Sequence, residues 1–394
     1  MLNTPFSPWP NYSEEEVEAV SRVLRSNQVN YWTGEETREF ECEFAGFADC
    51  SHAIALANGT LALDLALRFL VEPGDEVVVT PRTFIASVSS VVNARARPVF
   101  ADVDADSQNI TAESIEQVLT LRTRAILVVH LAGQPADMDP IMDLANRHNL
   151  KVIEDCAQAH GARYKGRSVG SMGHVGAWSF CQDKIMTTAG EGGMVTTNDA
   201  TLWEKMWAYK DHGKSWDAVY NREHPSGYRW LHESFGTNWR MTEVQACIGR
   251  IQLKRMGSWQ EKRLANASRI WTVCRGIDWL RVPPSDPNLT HAAYKAYVFV
   301  RKDRLPVGWD RDAILEELAA NNIPAFSGSC SEVYLEKAFD NAEFRPSKPL
   351  PIARELGETS LMFLCHPTLS DSEMVQTCNA IHAVNSRIER EIVA

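Results

Sequence analysis

Lys184 and Asp155 are the residues of this 394-residue sequence whose types and positions point most directly to chemistry. Lys184 follows an apolar run, Ala177–Phe180, and precedes the glycine-rich segment Gly190-Glu191-Gly192-Gly193. A lysine between a buried strand and such a segment can present a nucleophilic amine to a carbonyl group, although the glycines alone would fit a tight turn. Asp155 ends a second apolar run, Lys151–Asp155, and a buried carboxylate there either meets a cation or caps the next turn.

Two other strand ends carry candidate binding groups. Asn58-Gly59-Thr60 follows the run Ala53–Ala57 and opens a helical pattern, which gives either a phosphate site at a helix N-terminus or an ordinary helix cap. Phe84 lies in the loop after the run Glu76–Thr80 and could stack on a flat ring or belong to the core. In chain order these ends supply a phosphate corner, an aromatic face, a carboxylate and an amine. Pyridoxal 5′-phosphate is the ligand that would use all four.

Short apolar runs alternate with helical patterns over the first half of the chain. Strands alternating with helices predict an α/β fold with a mostly parallel, doubly wound sheet, in which ligands bind at the carboxyl ends of the strands. The predicted strands are Ala53–Ala57, Glu76–Thr80, Pro98–Ala101, Ala125–Leu131, Lys151–Asp155, Ala177–Phe180 and Gly193–Thr197. The predicted helices between them are Ala62–Phe69, Ala112–Leu119 and Ile141–His148.

The two ends of the chain show different patterns. Ser13 and Glu16 form a capping-box pattern that predicts an N-terminal helix. From about Thr290 a smaller α+β pattern begins, with a strand at Tyr297–Val300 and helices at Arg311–Ala320 and Ser372–Arg390. We therefore predict a large cofactor-binding domain over residues 1–261, including the N-terminal helix, and a small C-terminal domain over residues 262–394.

Composition excludes several classes of function. A formal net charge of −11 argues against binding to nucleic acid or to an anionic membrane, and no apolar run is long enough to span a bilayer. The nine cysteines show no paired spacing, which predicts reduced thiols, no metal site and a cytoplasmic location. No strand is followed by the dinucleotide-binding glycine motif. The Gly161–Ser168 segment resembles a phosphate-binding loop but has Arg167 where such a loop needs lysine. We therefore predict that this segment forms a hairpin near the site.

Several longer motifs resemble those of the DegT/StrS family of pyridoxal-phosphate sugar aminotransferases, and the resemblance covers nearly the whole chain. It implies the aspartate-aminotransferase type of fold. The motifs are Asn58-Gly59-Thr60, Glu154-Asp155-Cys156-Ala157-Gln158-Ala159-His160-Gly161, Ser179-Phe180 followed by Lys184, Gly190-Glu191-Gly192-Gly193 and Gly236-Thr237-Asn238-Trp239-Arg240-Met241.

This resemblance implies a role for each cofactor residue. Lys184 would form the internal aldimine and later move the proton, and Asp155 would pair with the pyridine nitrogen. The other implied contacts are Gln158 near the ring 3-hydroxyl, Phe84 on the ring face, and Gly59, Thr60 and Ser179 on the phosphate. Asn238 would reach the phosphate of a neighbouring subunit, which implies a homodimer with shared active sites. From the residues alone, Asn238 could equally be a turn residue before the next helix.

The resemblance also implies a reaction in two halves. An amino-acid donor, glutamate in most of the family, would convert the cofactor to pyridoxamine phosphate, which would then aminate a keto-sugar. The sugar would be nucleotide-linked and the product would serve amino-sugar and polysaccharide biosynthesis, such as that of lipopolysaccharide O-antigen. One alternative is the sugar dehydratase branch of the family, in which histidine replaces the lysine found here at Lys184. The other is a cofactor-binding regulatory protein without turnover.

Two segments are candidates for substrate recognition. The first is Asn27–Gly34, which contains Tyr31, and the second is His212–His232, which contains Lys214 and Arg229. Their basic side chains in an acidic protein suggest contacts with substrate phosphates, although solvated loops anchored by aromatic residues would look the same. The tripeptide Cys181-Gln182-Asp183 differs from the residues that are most common at these positions in the family. This difference leaves open an unusual acceptor sugar.

Overall fold

The computed structural model describes residues 4–393 of the chain. Its helices are α1 (Glu14–Ser26), α2 (Glu36–Phe47), α3 (Gly59–Leu70), α4 (Ala86–Asn93), α5 (Ala112–Glu116), α6 (Met138–His148), α7 (Ala200–Lys210), α8 (Trp216–Tyr220), α9 (Glu243–Arg275), α10 (Arg311–Ala320), α11 (Pro351–Thr359) and α12 (Asp371–Val393). Its strands are β1 (His52–Leu56), β2 (Glu76–Val79), β3 (Arg97–Phe100), β4 (Thr123–Val129), β5 (Lys151–Asp155), β6 (Arg163–Tyr164), β7 (Arg167–Ser168), β8 (Val175–Ser179), β9 (Gly193–Thr197), β10 (Leu280–Arg281), β11 (Leu289–Thr290), β12 (Ala296–Val300), β13 (Ala325–Phe326) and β14 (Ser360–Phe363).

A seven-stranded sheet in the order β1-β9-β8-β5-β4-β2-β3 forms the centre of the molecule. Neighbours from β8 to β3 pair in parallel, whereas β9 runs antiparallel to both β1 and β8. The predicted α/β fold with a mostly parallel sheet is confirmed. Because all the strands of this sheet except β9 point the same way, the carboxyl ends of β1, β5 and β8 lie at the same edge of the sheet.

The strands of this sheet are buried almost throughout, which explains their continuous apolar sequences. All four residues of β2 are buried, as are all five of β8 and of β9. Parallel sheets need cover on both faces, and helices such as α3, which packs against β8 and β9, provide it. The apolar face of each crossover helix therefore holds the strand ends in place.

A second, four-stranded sheet lies in the C-terminal part of the chain, in the order β10-β12-β14-β13, with all its pairs antiparallel. It shares a separate hydrophobic core with α10, α12 and the second half of α9. Helix α9 has 33 residues and runs through residues 261 and 262 without a break. The division of the chain into two domains at that point stays a prediction.

Most predicted elements lie where the sequence patterns put them, within a few residues. Strand β5 and helix α10 have the predicted bounds, and the capping box of Ser13 and Glu16 begins α1. The segment from Gly161 forms the antiparallel hairpin of β6 and β7, but none of its residues lines the cavity described below. Helices α2, α4 and α11 were not predicted.

Between residues 4 and 393, none of the helices combines the length and apolar character needed to cross a bilayer.

Candidate active site

A cavity of about 1050 Å³ opens at the carboxyl ends of β5 and β8, between the central sheet and the C-terminal sheet. Residues from both sheets line it, for example Asp155 of β5 and Tyr297 of β12. Seven residues singled out in the sequence lie on its wall, namely Gly59, Thr60, Phe84, Asp155, Gln158, Ser179 and Lys184. Four separate strand ends therefore meet at one site.

The N-terminus of α3 forms one corner of this cavity. The Asn58 side chain caps the helix by accepting a hydrogen bond from the Leu61 N–H at 3.0 Å, so the first turn is held open toward the cavity. A Cβ atom on Gly59 would lie 2.5 Å from the Cβ atom of Ser179, and only glycine allows this approach. The result is a helix N-terminus beside the hydroxyl of Ser179, which suits an anion such as phosphate.

Asp155 is the last residue of β5 and is almost fully buried. Its Oδ2 atom accepts a hydrogen bond from the Ser87 hydroxyl at 2.8 Å, and its Oδ1 atom accepts one from the Ala157 N–H at 3.1 Å. Burial raises the pKa of Asp155, although these hydrogen bonds and the Lys184 charge oppose the rise. No residue of the described chain forms a salt bridge with this carboxylate. A protonated ring nitrogen would supply the missing cation.

Phe84 and Gln158 flank this carboxylate on the cavity wall. The Phe84 side chain is 67% exposed, so a flat ligand could cover an aromatic face that the protein itself leaves bare. The Oε1 atom of Gln158 accepts a hydrogen bond from the Ala132 N–H at 2.8 Å, which turns the Nε2 donor away from that amide. Both side chains thus present groups that fit a hydroxylated aromatic ring.

Lys184 lies between β8 and β9 with a side chain that is 16% exposed. Its Nζ atom is 3.7 Å from Asp183 Oδ1 and 5.5 Å from the centroid of the Tyr294 ring. The Tyr294 hydroxyl donates to Asp183 Oδ2 at 2.5 Å. Burial would raise the pKa of Asp183, but the Lys184 charge and the Tyr294 hydrogen bond hold it below its ordinary value. Lys184 is thus held next to a carboxylate anchored by the C-terminal part of the chain.

An N-terminal segment, residues 4–9, covers part of the cavity. The Trp9 indole N–H donates a hydrogen bond to the Lys184 carbonyl at 2.8 Å. The Ser7 hydroxyl donates to a Glu373 carboxylate oxygen at 2.9 Å, which fixes the segment to α12. This segment therefore connects α12, in the C-terminal part of the chain, to the backbone of Lys184.

Glu154 supports the site from behind, since it is fully buried next to Asp155. Its carboxylate accepts hydrogen bonds from the N–H groups of Gly170, Met172 and Gly173 at 2.8, 2.8 and 2.6 Å. His130 accepts the Ala136 N–H at Nδ1, so its Nε2 carries a proton and donates to Glu154 at 3.0 Å. Burial would raise the pKa of Glu154, but these donors hold it below its ordinary value.

We expect Glu154→Gln to lower the free energy of unfolding by about 3–5 kcal/mol, because an amide places a donor against groups that also donate. Since the folded pKa is depressed, the stabilisation from Glu154 is present above pH 4.5 and is lost as the pH falls through the folded pKa. Urea unfolding at pH 7 and pH 4 measures both effects. Glu116→Gln, which removes an exposed ion pair with Arg147, is the matched control and should change stability by less than about 1 kcal/mol. Equal effects of the two substitutions would contradict the prediction.

Four predicted site residues lie outside the cavity of their own chain. Tyr31 is buried, with its hydroxyl hydrogen-bonded to Glu41 and to the Trp207 indole. Lys214 pairs with Asp211 at 3.4 Å, and Arg229 is exposed. Asn238 is also exposed, and its backbone pairs with that of Asp211. Their roles stay predictions.

Other residues of the site were not singled out in the sequence. Ser87 orients Asp155, and Tyr294 and Lys295 lie on the wall next to Lys184. The hydroxyl oxygens of Thr83 and Ser87 lie 2.8 Å apart. These residues are four apart at the start of a helix, and that spacing could have indicated that their side chains meet. Tyr294 and Lys295 come from a distant part of the chain, and no local pattern identifies them.

The fold and this cavity define a class, that of the pyridoxal-phosphate-dependent aminotransferases, whose DegT-type members are its structural neighbours. The chain belongs to the DegT/DnrJ/EryC1/StrS aminotransferase family, whose model matches residues 10–382. The resemblance inferred from the motifs is confirmed, as is the prediction of a transaminase.

Named relatives and a solved structure agree with this assignment. The chain is 35% identical to the dTDP-3-amino-3,4,6-trideoxy-alpha-D-glucose transaminase of Streptomyces venezuelae, over 94% of this chain and 92% of that protein. It is 34% identical to the UDP-N-acetyl-3-dehydro-alpha-D-glucosamine 3-aminotransferase of Acidithiobacillus ferrooxidans, over 96% of this chain and 95% of that protein. The X-ray structure of the aminotransferase from Psychrobacter cryohalolentis is 64% identical, with a TM-score of 0.97, over 98% of this chain and all of that one.

Proposed function

We propose that this chain moves an amino group from an amino-acid donor, glutamate by our prediction, to a ketone on a nucleotide-linked sugar. The observation that carries the proposal is the convergence of seven predicted cofactor residues on one cavity, with Lys184 and Asp155 among them. The family assignment supports the aminotransferase class and its cofactor, pyridoxal 5′-phosphate.

The residues present fit this cofactor well. The N-terminus of α3 with Thr60 and Ser179 would hold the phosphate, and the tight contact of Gly59 with Ser179 keeps this corner narrow. Asp155, a buried carboxylate without a salt-bridge partner among the described residues, would pair with the ring nitrogen. Phe84 would cover the ring, and the free amide donor of Gln158 would reach the 3-hydroxyl.

Lys184 is the residue to which we assign covalent attachment and proton movement. When bound, the cofactor would supply the reversible carrier for the amino group between the donor and the ketone. The Lys184 amine would bond to the cofactor aldehyde at rest, and once released it would move a proton at the substrate carbon as general base and acid. Asp183, whose Oδ1 atom lies 3.7 Å from the Lys184 Nζ atom, would hold the released Lys184 ammonium close to the substrate carbon.

The lysine at this position favours transamination over dehydration, because the dehydratase branch of the family replaces it with histidine. The two relatives named above are, by their names, a transaminase that forms a dTDP-linked sugar and an aminotransferase for a UDP-linked sugar, which supports a nucleotide-linked acceptor here. We keep Lys214 and Arg229 as proposed contacts to that acceptor, whereas the burial of Tyr31 away from the cavity argues against the same role for its side chain.

The test supplies the purified, cofactor-loaded protein with glutamate and a panel of dTDP-, UDP- and GDP-linked 3- and 4-keto-sugars. We expect formation of 2-oxoglutarate matched by one new amino sugar. Loss of water from a deoxy-keto-sugar without amine transfer would instead identify a dehydratase. If glutamate leaves the absorption spectrum of the bound cofactor unchanged, the alternative of a non-catalytic binding protein gains support.

We further propose a homodimer with shared active sites. Asn238 lies outside the cavity of its own chain, and nearby side chains expose large apolar surfaces, with Tyr228, Trp230 and Phe235 exposed by 73, 83 and 100%. Exposed aromatic surface of this kind is typical of protein interfaces. Light scattering should give twice the chain mass. Mixing the Lys184→Ala and Asn238→Ala variants should restore part of the activity that each lacks, whereas a monomer or unrestored activity would contradict sharing.

We also propose a cytoplasmic location. All nine cysteines are free thiols in the structure, as expected in a reducing compartment.

A further inference from the structure

Lys295 brings a second ammonium group to the wall of the cavity, and the chemistry described above leaves it without a role. Its Nζ atom lies 4.9 Å from the centroid of the Tyr294 ring. The Nζ atom of Lys184 lies 5.5 Å from the same centroid. The amine of the reacting lysine and the ammonium group of Lys295 therefore approach the same aromatic ring.

The surroundings of Lys295 carry an excess of positive charge. The Lys295 side chain is half-buried, and within residues 4–393 the ion pair of Asp183 engages Lys184 rather than Lys295. Arg263 on α9 is 1% exposed, and its Nε and Nη2 atoms lack acceptors in the described chain. Asp183, a carboxylate that acts on Lys295, is already engaged by Lys184 and Tyr294. Cations that are removed from water without enough carboxylates to pair with cost free energy, and binding of an anion would offset that cost.

The ionisation of Lys295 reflects the same imbalance. Burial lowers the pKa of Lys295 to about 8, and the charges of Arg263 and Lys184 act in the same direction. The titratable and charged groups that face it are Asp183, Lys184, Arg263, Tyr294, Cys365 and His366. The ammonium form is thus available at neutral pH, and an anionic ligand would stabilise it further.

We propose that Lys295 binds a carboxylate of the amino-acid donor. This inference rests on the proposed function, because it names the residue that recognises the donor in the same cavity. The amino group of the donor must reach the neighbourhood of Lys184, and an α-carboxylate is only two bonds from that nitrogen. A sugar nucleotide, by contrast, separates its phosphates from the reacting ketone by the sugar ring, and the cofactor phosphate belongs to the corner of Gly59 and Ser179.

The first test uses glutarate, a dicarboxylate without an amino group, titrated into the cofactor-loaded protein in a calorimeter. Lys295→Met should weaken glutarate binding by about tenfold to a hundredfold, which is the scale of one charged hydrogen bond. Lys295→Arg should retain most of the affinity. Lys205→Met, at an exposed position of α7, is the matched control and should bind like the wild type. Unchanged binding by Lys295→Met would overturn the proposal.

A second set of titrations separates the sources of the anion. UDP and GDP should bind the Lys295→Met variant as they bind the wild type, and n-propylamine, a donor without a carboxylate, should react with the cofactor at the wild-type rate. Weaker binding of the nucleotides with normal glutarate binding would assign Lys295 to the sugar nucleotide and overturn the proposal. An equal loss for glutarate, for the nucleotides and for n-propylamine would indicate a structural role of Lys295 and would also overturn the proposal.

The pH dependence gives an independent check. Because anion binding needs the ammonium form, glutarate affinity should be nearly full at pH 7, fall to about half at pH 8 and fall by about tenfold at pH 9. Lys295→Arg should remove this fall, and a pH-independent affinity in the wild type would contradict the assignment. Failure of the proposed function looks different. In that case, wild-type protein would take no amino group from glutamate at all, whatever residue stands at position 295.

Discussion

Lys184→Ala is expected to lower the rate of amino transfer by at least about 10³-fold, since one residue supplies both the covalent anchor and the proton carrier. The Lys184 side chain is largely buried next to Asp183, and Trp9 holds its backbone carbonyl, so its position in the site is well defined. The visible absorption of the covalently bound cofactor should disappear at the same time. Stopped-flow mixing with glutamate and absorption spectra measure the two effects.

The fold should survive this change, because the Lys184 side chain forms no part of either hydrophobic core. Lys205→Ala, an exposed lysine of α7, is the matched control and should leave both readouts unchanged. Normal circular dichroism combined with retained amine transfer would refute the role of Lys184. Restored turnover in Lys184→Ala on addition of a small primary amine would support it.

Asp155→Asn should reduce the rate of the glutamate half-reaction by about 10²–10³-fold, the scale of losing one preorganised electrostatic contact in a buried site. The substitution keeps the size of the side chain and one of its two accepted hydrogen bonds, from Ser87 at Oδ2 or from Ala157 at Oδ1, but it removes the charge that would keep the ring nitrogen protonated. Single-turnover kinetics with glutamate measure this directly. Cofactor affinity should fall much less than the rate.

Two comparisons make this test specific. Asp139→Asn removes an exposed carboxylate that pairs with Lys165, and it should leave the rate unchanged. Ser87→Ala removes only the hydroxyl that orients Asp155 and should cost less than Asp155→Asn. An Asp155→Asn variant that keeps the wild-type rate would mean that the carboxylate merely caps the turn at Ala157.

The strand ends of the central sheet could be predicted because their sequences are locally informative. Apolar runs such as the one before Asp155 are continuous where both faces of a strand are buried, and the residue after each run then lies at the binding edge. The corner at Gly59 followed in the same way from a strand, a small-residue turn and a helix start. Seven of the predicted site residues consequently meet in one cavity.

Contacts between distant parts of the chain escaped prediction. Tyr294 and Lys295 reach the site only because the segment after β11 returns to the central sheet, where the Ala292 and Tyr294 N–H groups bond to the carbonyls of Gly133 and Ala132. Tyr31 lies in a segment predicted either to contact substrate or to be a solvated loop anchored by aromatic residues, and it is buried against Glu41 and Trp207. Neither outcome follows from periodicity, because both depend on partners far away in the sequence.

The N-terminal segment has a practical consequence for preparing the enzyme. Trp9 touches the backbone of the reacting lysine, and Thr4, Phe6, Ser7 and Pro8 line the cavity, so a bulky group attached to this segment would lie beside the active site. The last turn of α12 exposes Glu391 and Ile392 and lies outside the cavity lining. A carboxyl-terminal tag is therefore the safer choice for spectroscopy and kinetics.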